Sequence, residues 1–218
     1  HKALRKNGIA KQDRVAIVLP NGPTMATAFV TIAQCTTTAP LNPNYREDEF
    51  SFYLDDLKAK ALVVNDGYNG PAAAAAERLD IKIIRLLESD RIAGLFSLVG
   101  DENEKLLEDE KVSENDVALI LHTSGTTSRP KIVPLLQSNI AASASNIAQS
   151  LSLSSADRCL NVMPLFHIHG LIAAVSASLS VGASIWCSSG FNALSFFSNL
   201  DEAKPTWYTA VPTMHQAI

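Results

Sequence analysis

The stretch VALILHTSGTTSRPK, Val117 to Lys131, changes character at one point. Val117 to His122 is a near-continuous apolar run, of strand length and suited to burial on both faces of a sheet. Directly after it, Thr123-Ser124-Gly125-Thr126-Thr127-Ser128-Arg129-Pro130-Lys131 packs five hydroxyl side chains, one Gly and two cations into nine residues. Ligands of α/β sheets gather beyond the carboxyl ends of the strands, which is where such a loop would sit.

Outward from this stretch, strands and helices alternate. Upstream, Arg14 to Leu19 reads as a buried strand, Pro20-Asn21-Gly22-Pro23 as a turn, and Thr24 to Cys35 as a helix. Pro40 and Pro43 bracket an extended segment. Glu47 to Leu57 puts Phe50, Tyr53, Leu54 and Leu57 on one helical face behind an acidic first turn. Strand Ala61 to Val64, Ala-rich helix Ala72 to Leu79 and β-branched strand Ile81 to Leu87 follow. Gly100 to Asp116 is acidic with little apolar pattern and is the best linker candidate. Downstream, the sequence predicts helix Ser138 to Leu151, strand Arg158 to Val162, helix Gly170 to Val181, strand Ala183 to Cys187, helix Ala193 to Lys204, strand Thr206 to Thr209 and a new helix from Thr213. The repeated βα pattern gives an α/β class with parallel-rich sheets covered by helices.

Composition narrows the function classes. Hydrophobic residues make up 47% and charged residues 18% of 218, which excludes a disordered chain, and no apolar run reaches the roughly 20 residues of a membrane span. With a formal net charge of -4 and scattered Lys and Arg, no global field would draw nucleic acid. Any anion binding must be local. Cys35, Cys159 and Cys187 match neither a disulfide framework nor a zinc site and read as buried thiols in a reducing compartment. The chain begins at His1 without Met and stops at Ile218 inside a helix, so it reads as a fragment.

Hydroxyls and backbone N–H groups can donate to phosphate oxygens, Gly125 allows close backbone approach, and Lys131 supplies a mobile charge. The P-loop pattern GxxxxGK[ST] is the nearest rival. It fails twice: Pro130 replaces the second Gly and has no N–H, and Ile132 replaces the magnesium-binding Ser or Thr. The residues alone leave a phosphate loop of another type or a Ser/Thr-rich surface turn.

TSGTTSRPK resembles the signature loop T-S-G-T-T-G-x-P-K-G of the AMP-forming, adenylate-forming superfamily that contains acyl-CoA synthetases, firefly-type luciferases and the adenylation domains of peptide synthetases. Thr123, Ser124, Gly125, Thr126, Thr127, Pro130 and Lys131 match; Ser128 and Ile132 depart. The Ser128-Arg129 pair is similar to the oxalate-CoA ligase group. DRVAIVLPNGP, APLNPNYREDEFSFYL, PLFHIHGL and WYTAVPTMH resemble further family segments in the same order.

The resemblance implies part of a layered αβαβα N-terminal domain, incomplete here: residues 1–100 as a first sub-lobe, 101–116 as an acidic linker, 117–218 as a phosphate-loop sub-lobe, and the small C-terminal domain absent. It implies ATP-dependent activation of a carboxylic acid to an acyl-adenylate and then thioester formation with coenzyme A, with Mg2+ on the nucleotide. Oxalate or another short acid is favoured, and the fragment alone is expected to be inactive. Thr123, Ser124, Gly125, Thr126, Thr127 and Lys131 would bind the phosphates. An amino-acid adenylation domain and a catalytically incomplete nucleotide-binding module are the alternatives. The expected partner is a small-molecule acid, and the expected location cytoplasmic, with a peroxisomal one open for a eukaryotic protein.

His167 and His169 flank Ile168, and an extended segment would put both on one side. Two His with no nearby Asp, Glu or Cys make a poor zinc or iron site, so no protein metal site is expected. By resemblance His167 matches the family His beside the acyl and phosphate ends of the active site, while His169 reads as structural. Trp207, Tyr208 and Pro212 to His215 read as core or as pocket lining, and His122 carries no constellation.

Overall fold

Strand β1, Arg14–Val18, sits at the centre of the larger sheet because its RVAIV run has apolar side chains for both faces; Val15, Ala16 and Ile17 are fully buried. The computed structural model describes residues 1–101, 107–108, 110–123 and 130–218. The elements follow in chain order: α1 (Lys2–Lys6), β1, α2 (Pro23–Ala33), β2 (Thr37–Pro40), α3 (Glu47–Leu57), β3 (Ala61–Asn65), α4 (Pro71–Arg78), β4 (Lys82–Glu88), β5 (Phe96–Val99), β6 (Val117–Thr123) and β7 (Lys131–Leu136). Then come α5 (Gln137–Ser150), β8 (Arg158–Asn161), a π-helix (His169–Ser176), α6 (Ala177–Ser180), β9 (Ser184–Cys187), α7 (Phe196–Ala203), β10 (Trp207–Thr209) and α8 (Pro212–Ala217).

The described chain forms two compact units, His1–Leu19 with Thr27–Gln137, and Pro20–Ala26 with Ser138–Ile218. The first holds a seven-stranded sheet in the order β5-β4-β3-β1-β2-β6-β7. Its five inner strands are mutually parallel, and β5 and β7 pair antiparallel at the two edges. On one side Phe50, Leu54 and Leu57 of α3 and Ala72, Ala75 and Ala76 of α4 pack with Ala16, Val18, Leu62 and Val64 into one buried cluster. The apolar spacing of EDEFSFYLDDL dictates which face of α3 turns inward. Its amino end is closed by Glu49, which accepts a bond from the Arg46 N–H at 2.9 Å.

The second unit holds the wholly parallel sheet β10-β8-β9. Leu160, Val162, Phe196 and Ala203 form its buried cluster, with Trp186, Leu200 and Tyr208 packed on it. Cys35 and Cys159 are buried and Cys187 is half-buried. Burial pushes the Cys159 thiol up to about 12 and the Cys187 thiol to about 11, so both are neutral at physiological pH.

The α/β class and the parallel-rich sheets are as the sequence predicts. Other features differ. The sequence groups residues 117–218 as one sub-lobe, whereas β6 and β7 pair into the first unit's sheet, because β6 lies parallel beside β2. The helix expected over Gly170 to Val181 opens as a π-helix and tightens to α only at Ala177. Among the described residues no helix is long and apolar enough to cross a membrane.

Candidate functional site

β6 ends at the carboxyl edge of the parallel core of the first sheet, and Lys131 opens β7 directly opposite its last residue. The antiparallel register pairs Thr123 with Lys131 and His122 with Ile132. Such partners lie about 4.5–5.5 Å apart at Cα, so the two ends of the hydroxyl-rich segment are held side by side. Thr123 and Lys131 are exposed, which leaves a hydroxyl and an ammonium group open to an anion. Ser124, Gly125, Thr126 and Thr127 lie outside the described residues. Ile132, a departure from the signature, is an ordinary strand residue here: it is half-buried and packs on the cluster beneath the sheet. A β-branched side chain suits that place.

Side chains fasten β6 from both sides. Thr37 and Thr38 donate from their hydroxyls to the carbonyls of Val117 and Ala118, each at 2.8 Å, beside a backbone register that aligns Thr38 with Leu119. On the other side, His122 Nε2 donates to Asp56 Oδ2 at 3.0 Å. The His122 side chain is only 6% exposed, and its ring meets Tyr53 edge-on at 4.6 Å between centroids. Tyr53 stacks on Tyr45 at 4.8 Å, and burial, reinforced by Tyr53, pushes the Tyr45 phenol up. Sequence reasoning gave His122 no role because its partner lies 66 residues away. The available signal was that Tyr53 and Asp56, three apart on α3, share a helical face.

In the second unit the chain leaves β8 at Asn161, whose fully buried side chain clasps Met163 by two bonds, Nδ2 to the carbonyl at 3.1 Å and Oδ1 from the N–H at 3.2 Å. The Pro164 carbonyl accepts from the His167 N–H at 3.3 Å and abuts Gly170, where an added Cβ would lie 2.5 Å from that oxygen. Only Gly permits this approach. The segment is therefore turned and not extended, and the two histidines separate in role. His169 opens the π-helix and bonds Thr209 Oγ1, at the carboxyl end of β10, at 2.7 Å. His167 is exposed, tilted against Phe166 at 4.7 Å between centroids. Burial holds both imidazoles below their usual value, so each is neutral at pH 7, with one nitrogen able to donate and one to accept. Among the described residues no group of three His, Cys, Asp or Glu could hold a metal ion.

Both the sequence and the fold of the chain have counterparts in known proteins. The description AMP-binding enzyme matches residues 2–218. The chain belongs to the AMP-binding enzyme family. Within it, the chain is 39% identical over 97% of its length to an oxalate–CoA ligase of Arabidopsis thaliana, covering 42% of that protein. It is 36% identical over 94% of its length to an oxalate–CoA ligase of Saccharomyces cerevisiae, again covering 42%. The crystal structure of a long-chain-fatty-acid–CoA ligase from Archaeoglobus fulgidus superposes with a TM-score of 0.80 at 26% identity, over 99% of this chain and 44% of that one. This AMP-binding-family chain thus spans less than half the length of each of these relatives.

Proposed function

We propose that the protein to which residues 1–218 belong activates a short carboxylic acid, oxalate or a close relative, with ATP and passes it to coenzyme A. These residues would then be part of its large N-terminal domain. The observation that carries the reading is the likeness to two oxalate–CoA ligases across nearly the whole chain. The Ser128-Arg129 pair is in keeping with it.

In the first step a substrate carboxylate oxygen attacks the α-phosphorus of ATP, the bond to the bridging oxygen breaks, and pyrophosphate leaves. In the second, the thiol of coenzyme A adds to the acyl carbonyl and AMP leaves. Charge gathers on phosphate oxygens, so catalysis asks for positioned donors more than for covalent help from the protein. Thr123, Ser124, Gly125, Thr126, Thr127 and Lys131 would supply them around the β- and γ-phosphates. The pairing of Thr123 with Lys131 supports this by fixing where the segment leaves and re-enters the sheet. His167, neutral and exposed, would donate to a carboxylate or phosphate oxygen. Magnesium enters as the ion that ATP brings, and no described residue is assigned to it.

The test is acid-dependent ATP–pyrophosphate exchange in the full-length enzyme, run over oxalate, other short dicarboxylates, medium-chain and aromatic acids. Oxalate or a neighbour in size should lead the panel. Lys131→Ala should lower exchange by about 100-fold or more, as loss of a preorganised charge contact does. Undiminished exchange in that variant would refute the loop assignment, and a medium-chain acid at the head of the panel would refute the substrate class.

A further inference from the structure

The segment Pro20–Ala26, which holds the turn Pro20-Asn21-Gly22-Pro23, is part of the second unit although Leu19 before it and Thr27 after it belong to the first. One side chain of this segment bonds to three backbone groups of the same unit. Asn21 donates from Nδ2 to the Ser188 carbonyl at 3.0 Å and to the Met163 carbonyl at 3.3 Å, and accepts at Oδ1 from the Leu165 N–H at 2.7 Å. Three of the four hydrogen-bonding positions of its amide are thereby used on backbone groups 142, 144 and 167 residues away.

The bonded groups have a common location. Met163 and Leu165 lie in the segment that leaves the carboxyl end of β8 and carries His167, and Ser188 directly follows the carboxyl end of β9. Ser188 is tied back in turn, its N–H and hydroxyl donating to the Asn161 carbonyl at 3.1 and 2.9 Å. The ends of two adjacent parallel strands are thus joined through one amide, on the edge of the sheet where ligands of α/β folds collect. Of the common side chains, only that of Asn has this reach with two donors and an acceptor. Asp loses the donors, and Gln is longer by a methylene.

We infer that Asn21 is a positioning residue for acid binding, holding the Met163–His167 segment in the turn that presents His167. The inference rests on the proposed reading of His167 as an active-site residue. Asn21 itself touches no substrate. It acts through the backbone, and a loop displaced by about 1 Å costs up to roughly 100-fold in a reaction that depends on placement.

The experiment measures acid-dependent ATP–pyrophosphate exchange in the full-length enzyme with oxalate as the acid, for the parent, Asn21→Ala, Asn21→Asp and His167→Ala, together with the thermal midpoint of each. Asn21→Ala should raise the oxalate KM about tenfold or more while the ATP KM stays within about twofold. A residue that only aids folding would reduce the amount of active enzyme and leave both KM values alone. Asn21→Asp keeps the acceptor for the Leu165 N–H and loses both donors, so it should share the oxalate defect and carries the test if Asn21→Ala does not fold. An unchanged oxalate KM in a folded variant overturns the inference, and so does failure of both variants to fold, which would make Asn21 a folding residue. An unchanged oxalate KM in His167→Ala instead overturns the reading of His167. A defect in His167→Ala with none in the Asn21 variants sinks the positioning role alone.

Discussion

Thr38 sits under the site, not in it, and shows how one hydroxyl can hold a strand in place. It is fully buried, and its Oγ1–H bond to the Ala118 carbonyl joins β2 to the strand that ends at Thr123. Thr38→Val keeps the shape and removes the donor. The expected cost is about 1–3 kcal/mol, at the upper end if the Ala118 carbonyl is left without a partner. Urea denaturation of the full-length protein measures it, and an unmoved midpoint would mean that the seam is held by the backbone ladder alone. At this scale the sequence was informative about kinds of chemistry and silent about partners. The density of hydroxyls beside Lys131 is what suggests the anion loop proposed for them. The amide of Asn21 and the imidazole of His122 announce nothing, because their meaning lies in groups 66 to 167 residues distant. Likewise the odd Ile132 becomes ordinary once it is seen to stand in a strand.

Among elements, helix α3 and strand β6 are joined most directly by the His122–Asp56 bond, and their coupling is measurable. His122 is buried beneath Tyr53 while Asp56 is 39% exposed, so the pair is partly screened. A double-mutant cycle with His122→Ala and Asp56→Ala should give a coupling of about 0.5–1.5 kcal/mol. Asp56→Asn, which retains an acceptor, should lose less than Asp56→Ala. Additive single effects would leave the contact without energetic weight. Elements with strong periodicity were legible: α3 has the bounds the sequence gives it, and β1, β3, β6 and β8 fall within a residue of theirs. Those that were missed share a physical reason. β7 contains Pro134, which argues against a strand until its place at the edge of the sheet is known, where the missing N–H is tolerated. β2, TTAP, hides its burial behind hydroxyls that bond to a neighbouring strand. The π-helix has no pattern of its own, since it is a helical sequence wound wider where Gly170 meets Pro164.

At the scale of the whole molecule, the two units differ in how much sheet they bury, and that difference should govern their local stability. In the first, β1 and β3 are flanked by strands on both sides, and Val15, Ala16, Ile17, Leu62 and Val63 are fully buried. In the second, only β8 has two neighbours; β10 is three residues long, and Leu194 and Phe197 nearby are 97% and 59% exposed. Opening free energy follows buried apolar contact and the protection of backbone hydrogen bonds. Amides of β1 and β3 should therefore exchange slowest, and those of β9 and β10 should open at a cost at least about 2 kcal/mol lower, or roughly 30-fold faster exchange. Hydrogen–deuterium exchange on the full-length protein, read peptide by peptide, measures this directly. Equal protection in the two sheets would mean that parts of the protein outside residues 1–218 cover the β9 and β10 edges. Under the proposed function, added oxalate and ATP should slow exchange in β9, β10 and residues 162–168, because any opening that breaks the site releases the ligands and so costs their binding free energy as well.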